Sequence, residues 1–412
     1  MKHFSDASNG QYGSNTEQES EPQFIFTSNG RSLKASGILC TISSKGLNPD
    51  SFIETIKSRL NELKINGKKN PMVIGSIPFD TNEETEFFVP KFSEFSSTLT
   101  TNAVTSDNTT QLTSLAQVTD ESHFKDAVNK ALLFSEHTHL DKVVLSRAID
   151  VKTTVAINAT NMATILYQQN PNAFVFSIPQ SDGTTLIGAS PELLVKKHNN
   201  QVTSNPLAGS RKRTNSLAEN NKNHHELWQC EKDRYEHKLV ADAVFKHLDP
   251  FCQTLYTPEA PSIIETPTML HLSTKIDGTL TSDKTSVLEL VYALHPTPAV
   301  CGTPPALAKA TIQYLEGYDR AKFGGAVGWM DAEGNGEWVV TIRCGVIKQN
   351  SIRLYAGAGI VSGSDPIAEF AETEAKFNTM LKALGLTSMQ KPQHPTSLNT
   401  LPNKTKKTDV MI

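Results

Sequence analysis

At 412 residues, with 38% hydrophobic and 20% charged residues, the chain has the composition of an ordinary globular protein and the length for one large domain or two. Its formal charge of -4 argues against a nucleic-acid surface; five scattered cysteines (Cys40, Cys230, Cys252, Cys301 and Cys344), odd in number and without a CxxC pair, argue against a disulfide framework or a zinc site and fit a reducing cytoplasm. No apolar run is long enough for a membrane span, and the opening Ser-, Asn-, Gln- and Glu-rich stretch lacks a signal-peptide core, so a soluble, unexported protein is expected.

Residues 1–22 read as a polar tail, residues 23–386 as the folded part, and residues 387–412, rich in Lys, Pro and Thr, as a second tail. Residues 37–42 read as a strand, 50–63 as an amphipathic helix with Phe52, Ile53, Ile56 and Leu60 on its apolar face, and Met72–Ile77 as a buried strand. Residues 96–120, dominated by Thr, Ser and Asn, read as a surface crossing. A helix over 121–134, a strand over 142–147, a helix over 161–169 and strands over 173–178 and 184–188 follow. Residues 211–225 read as a basic polar loop, and 225–248 as one long helix carrying Asp233 and Glu236.

The stretch from Gly317 to Lys376 is the most tightly organised. Strands over 321–331, 337–347 and 352–360 are joined by turns at Gly334-Asn335-Gly336 and Gln349-Asn350, the pattern of a meander. Alternation in the middle strand puts Trp338, Val340, Ile342, Cys344 and Val346 on one face and Val339, Thr341, Arg343 and Gly345 on the other. In the third strand Ile352, Leu354, Ala356, Ala358 and Ile360 oppose Arg353, Tyr355, Gly357 and Gly359, and glycines beside an arginine leave room for a ligand. Asp365-Pro366 then reads as the cap and first residue of a helix ending near Leu384, with Gly385 as its stop.

Asp233 and Glu236 lie three apart on one helix, Glu369 and Glu372 three apart on another, so each pair occupies one face. Such pairs are common on solvated helices. Together they can also hold a hard dication such as Mg²⁺, which is bound through few carboxylates plus water and the anionic groups of a substrate, where Arg343 and Lys376 also await negative charge. Lys142 in its apolar strand reads either as an edge gatekeeper or as a functional amine, and Glu192 either as a helix first-turn residue or as an acid. His237 and His295 read as neutral hydrogen-bonded histidines, His271 as substrate-facing, and Trp228, Trp329 and Trp338 as packing residues.

Eight short segments in order carry a resemblance: residues 142–147, Gly188-Ala189-Ser190-Pro191-Glu192, residues 206–213, 233–237, His295-Pro296-Thr297-Pro298-Ala299, Gly317-Tyr318-Asp319, residues 324–328 and 369–376. Together they resemble the chorismate-utilising enzymes over roughly residues 131–384. The resemblance implies an α+β fold, a single large domain of layered antiparallel β-sheets flanked by helices, usually monomeric. Within the family it is nearest to isochorismate synthases, which add water at C2 of chorismate as the C4 hydroxyl leaves. Relatives that add ammonia carry Gln at the position of Lys142, and salicylate synthases tend to place Tyr at that of Phe323.

The resemblance assigns Lys142 as the base that activates water and Glu192 as the acid that protonates the leaving oxygen. It places Mg²⁺ chiefly on Glu236 and Glu372, with Asp233 and Glu369 behind them. Asp233 departs from a Glu common in relatives, which weakens that assignment. Arg343 and the backbone around Gly357 would take the enolpyruvyl carboxylate, with Gly209, Ser210, His271, Ala299, Val300 and Lys376 lining the pocket. A lysine has a pKa of about 10.4 in water, so Lys142 needs desolvation or nearby positive charge, and Glu192 needs the upward shift. Residues 206–210 look more like those of siderophore-pathway enzymes making 2,3-dihydroxybenzoate than menaquinone ones. Salicylate synthase is the alternative enzyme; a non-catalytic, Ca²⁺-stabilised anion-binding protein would have no use for Lys142 and Glu192 together.

Overall fold

The computed structural model describes residues 23–28, 30–99 and 112–386, and the polar tails expected at 1–22 and 387–412 lie outside the described residues. Seventeen strands join in one ladder and three form a small separate sheet, with every pairing antiparallel. From one edge the ladder runs Cys252–Tyr256, Ile276–Leu280, Gln201–Asn205, Leu193–His198, Gly336–Val340, Ala326–Asp331, Met72–Ile77, Glu86–Ser96. It continues through Arg31–Ser43, Gln23–Ser28, Phe174–Pro179, Thr185–Ser190, Cys344–Lys348, Ser351–Val361, Lys142–Thr153 and Leu112–Gln117, with the short Gly302–Thr303 also paired to Lys142–Thr153.

The ladder folds back on itself, so its halves face each other across a core that includes Phe24, Phe88, Phe176, Leu186, Val327, Cys344 and Tyr355. Helices Pro49–Ile65, Glu231–Leu248 and Val287–Leu294 cover the outer face of one half, where Phe52, Val244 and Val287 pack with Trp338. Helices Glu121–His137, Ala159–Gln169, Pro305–Leu315 and Pro366–Ala383 cover the other. This is the expected layered α+β domain. No helix among the described residues is long and apolar enough to cross a membrane.

Helix starts follow the chain's chemistry. Asn48, Asp120 and Asp365 each accept a bond from an amide three residues on, satisfying donors that the helix itself leaves orphaned, and Ser286 with Glu289 forms a capping box. Gly385 follows the last helix with φ +77°, the left-handed stop expected of it.

Five expectations are corrected. The middle strand of the meander is not continuous: Gly336–Val340 pairs in one half of the ladder and Cys344–Lys348 in the other, with Arg343 left-handed at φ +51° between them. The break reverses the alternation, so Cys344 does not share a core with Trp338, and Ile347 rather than Val346 is buried. The expected loop over 211–225 contains the helix Leu217–Gln229, started by Ser216, which accepts from Glu219 N; its Asn- and His-rich sequence is a poor helix former, and it is held by Leu227 packing on Leu270 and Leu272. The long helix is therefore two, divided at Cys230, whose extended backbone lets the second turn Asp233, Glu236 and His237 inward. The end of the expected surface crossing is the edge strand Leu112–Gln117. Trp228 is 38% exposed, so only Trp329 and Trp338 pack in the core.

Where Thr185–Ser190 approaches the break, Gly188 has no room for a side chain: a Cβ would lie 2.6 Å from Phe176 Cζ, 2.8 Å from Cys344 Cβ and 2.9 Å from the Arg343 carbonyl. Gly188→Ala should cost about 1–3 kcal/mol through overpacking, measured as a lower urea midpoint. An unchanged midpoint would show that this approach is not constrained.

Candidate active site

Strand Lys142–Thr153 lies against Ser351–Val361 with Val144 opposite Gly359 and Ser146 opposite Gly357. Lys142, Val144 and Ser146 share one face of it. The Lys142 side chain is fully buried, and its ammonium lies 2.9 Å from Glu236 Oε1, a close ion pair that is not aligned as a hydrogen bond. Helix Glu231–Leu248 can bring Glu236 this close only because Gly359 lies beneath it. A Cβ at 359 would stand 2.0 Å from Glu236 Oε1 and 3.0 Å from Lys142 Cε.

Two segments carry the chain between the halves of the ladder: Pro191-Glu192, between strands Thr185–Ser190 and Leu193–His198, and Thr341-Ile342-Arg343. They are stitched together, Val340 N donating to the Glu192 carbonyl and Ala189 N to that of Arg343, both at 3.1 Å. The Glu192 carboxyl is buried and accepts from Leu207 N at 3.4 Å. Burial pushes its pKa up to about 7, against the Leu207 bond and the positive Lys142, Arg343 and Lys376. The upward shift expected of a proton-holding acid is present.

Arg343 Nη2 donates to His271 Nε2 at 3.2 Å, and burial with the positive Arg343 and Lys376 holds the His271 pKa well below the usual range. His271 is thus a neutral acceptor that orients the guanidinium. Burial lowers the Arg343 pKa to about 10, against Glu372 and Glu192, which leaves it charged at neutral pH. His237 and His295, at 2.6 Å from Thr274 Oγ1 and 2.9 Å from the Pro78 carbonyl, are each lowered to about 4 chiefly by burial. Both are neutral, as expected.

Each carboxylate of the acidic set faces a cation. Besides Glu236 with Lys142, Glu372 pairs with Lys376 at 2.5 Å, Glu369 with Lys232 at 2.5 Å and Asp233 with Arg211 at 2.6 Å. Among the described residues no three acidic, His or Cys side chains converge on one point. The donor set nevertheless fits a hard dication in being all oxygen, with each carboxylate held meanwhile by its cation. Burial and then Glu372 push Glu369 up to about 7, and burial raises Asp233 despite Arg211. Burial opposes ionisation of Glu372 as well, but Lys376 holds it below the usual range.

The pocket is lined by Glu192, Gly209, Ser210, Glu236, His271, Ala299, Val300, Phe323, Arg343, Gly357, Glu372 and Lys376. Lys142, Asp233 and Glu369 stand behind this lining, Lys142 through Glu236 and the other two one turn away on the helices that carry Glu236 and Glu372. Gly209, at φ +74°, lets its strand lie against Asp233, whose Cβ would be 3.1 Å from a side chain there. Lys376 also donates to the Gly357 carbonyl at 2.8 Å. Sequence reasoning missed the lining by Val144, Pro191, Leu207, Ala208, Ile342 and Ala356, while Gly359, read with Gly357 as leaving room for a ligand, does line the pocket.

It also missed the support beneath the wall. Arg320 donates to the Val300 carbonyl at 2.7 Å, to the Val144 carbonyl at 2.6 Å and to both oxygens of Glu316. Glu316 in turn accepts from Ser146 N and Oγ, and Ser146 Oγ meets Tyr318 Oη at 2.6 Å. Phe323 stacks on Tyr355 at 5.3 Å, and Tyr355 on Tyr318 at 6.3 Å. The network sets the height of three lining residues at once.

Comparison with known proteins agrees with this geometry. The family model described as "Chorismate binding enzyme" matches residues 62–385. Isochorismate synthase DhbC of Bacillus subtilis (strain 168) is 41% identical over 374 residues, covering 88% of this chain and 94% of that protein. Isochorismate synthase EntC of Escherichia coli (strain K12) is 38% identical over 372 residues, covering 88% and 95%. The crystal structure of DhbC from Bacillus anthracis, described as a candidate 2,3-dihydroxybenzoate-specific isochorismate synthase, superposes with a TM-score of 0.83 at 43% identity, covering 88% of this chain and 96% of that one.

Arg320→Met should leave Glu316 buried without its counter-charge and cost about 3–5 kcal/mol, measured by urea unfolding. A loss below about 1 kcal/mol, the range of surface pairs, would show that the pair is not the support described.

Proposed function

The chain belongs to the chorismate-binding enzymes, and from that membership we propose that it is an isochorismate synthase, converting chorismate to isochorismate by adding water at C2 as the C4 hydroxyl leaves. The observation that carries this reading is the state of two buried groups: the Glu192 carboxyl pushed up to about 7, and the fully buried Lys142 amine behind Glu236. Lys142 takes a proton from the attacking water and Glu192 gives one to the departing C4 oxygen, so the proton count closes over the cycle. Lys142 is fully buried, and the nearest charge to it is the negative Glu236.

Arg343, oriented by His271, and Lys376, beside the Gly357 carbonyl, offer the positive charge for the substrate carboxylates. Glu236 and Glu372, with Asp233 and Glu369 behind them, would hold Mg²⁺. When bound, the ion would neutralise a ring carboxylate that the acidic set would otherwise repel. Phe323 stacks on Tyr355 and offers no hydroxyl to hold a leaving carboxylate, which favours release of isochorismate over pyruvate elimination to salicylate. Likeness to the Bacillus anthracis protein supports 2,3-dihydroxybenzoate and a siderophore as the destination.

With chorismate and Mg²⁺ the protein should give the same mixture of chorismate and isochorismate from either compound, with pyruvate at background. EDTA should abolish the conversion. Stoichiometric pyruvate with salicylate would refute the assignment, and full turnover after EDTA would refute the metal site.

Lys142→Gln and Glu192→Gln should each lower the rate by about a hundredfold or more, the range for a lost general acid or base. Glu192 acts in its protonated form, so kcat/KM should fall as pH rises through about 7, where this carboxyl ionises. A profile flat from pH 6 to about pH 9 would exclude Glu192 as the acid.

A further inference from the structure

A second cleft adjoins the catalytic pocket, and Arg343 and Pro191 stand in the walls of both. It offers water about 660 Å³ of space against about 60 Å³ in the catalytic pocket, which its own side chains nearly fill. One wall comes from the large ladder and the turn at Asn170, Pro171 and Asn172; the other comes from the small sheet, through Arg213 and residues 264–267. Arg213 Nε lies 3.1 Å from Glu265 Oε2, with both side chains exposed (37% and 55%).

We propose that this cleft is the route by which chorismate enters the catalytic pocket, with Arg213 as its outer anion contact and Arg343 as its inner one. The inference rests on the isochorismate synthase reading only in naming chorismate. Lys142, Glu192 and Arg343 are all buried, so a substrate reaches them through an opening, and this cleft shares with the catalytic pocket Arg343, the residue proposed to take a substrate carboxylate. Its lining mixes apolar residues, among them Phe174, Ile264 and Pro267, with amides and hydroxyls from Asn170, Asn172, Asn205 and Thr266. The carboxylate in this wall, Glu265, already faces Arg213. A dianion therefore meets hydrogen-bonding groups and two cations along the path, and little like charge.

Asn172 is an exposed turn residue on this wall, outside the catalytic machinery. Asn172→Cys, treated with methanethiosulfonate reagents carrying a methyl or a bulky aromatic group, tests the route in the full chain with Mg²⁺ present. The bulky adduct should lower kcat/KM for chorismate consumption by about tenfold or more, with recovery after dithiothreitol, while the methyl adduct and the treated wild type keep their rates. Arg213→Gln should lower kcat/KM and flatten its dependence on ionic strength with kcat unchanged. Full kcat/KM with the bulky adduct confirmed by mass spectrometry would overturn the route, and an unchanged salt dependence in Arg213→Gln would overturn the role of Arg213. The readout is consumption of chorismate, so a protein that makes another product still tests the route, and the identity of the product separately tests the reaction.

Discussion

Two strands that leave one half of the folded ladder for the other fix this site. A backbone that changes sheets gives up its ladder partners at the crossing, and buried amides and carbonyls need replacements. Here each crossing supplies the other: Val340 N reaches the Glu192 carbonyl and Ala189 N that of Arg343. The Thr341 amide and carbonyl are taken up by Gly325 and Gly324, next to Phe323. Glu192 and Arg343 therefore hold their places because moving either would orphan buried polar groups of both segments, a cost of about 1–3 kcal/mol for each group. The positions of Glu192 and Arg343 are set by main-chain bonding before any side-chain interaction is counted.

Electrostatics is the second determinant. Four carboxylates are gathered at a largely buried place, and each has drawn in a Lys or Arg, since an unpaired buried charge costs more than a paired one recovers. The pairing is uneven. Lys376 holds Glu372 below the usual carboxylate range, while burial and then Glu372 push its neighbour Glu369 up to about 7 despite Lys232. Gly359 does for this cluster what the main-chain stitches do for the crossings: by withholding a Cβ it admits Glu236 to the buried amine.

Much of this was legible in the sequence, for physical reasons that differ from part to part. The cap at Asp365 and the stop at Gly385 are local chemistry, and they marked the ends of the last helix closely. The glycines of strand Ser351–Val361 announced a ligand-facing side because alternation is strict within one unbroken strand. Alternation failed at Arg343 because it presumes continuity, and nothing in Thr341-Ile342-Arg343 signals the left-handed residue that a change of sheet requires. Helix Leu217–Gln229 was hidden because tertiary packing overrides its poor propensity. Most of the site residues came from resemblance rather than from pattern. The Arg320–Glu316 support was out of reach of either, since it joins carbonyls remote in the chain.

The pairing of Lys142–Thr153 with Ser351–Val361 has a consequence for how the molecule comes into being. The strand bearing Lys142 finds its main partner only once residues 351–361 have been made, and the acidic helix Pro366–Ala383 comes later still. Topologies dominated by such distant pairings have high contact order and fold slowly, because loop-closure entropy must be overcome before the contacts stabilise anything. A nascent chain halted before Ser351 would carry Lys142 on a strand edge with its hydrogen-bonding groups open to other chains. The enzyme is thus completed from its C-terminal third, and fragments that stop short of it are candidates for aggregation rather than for partial activity.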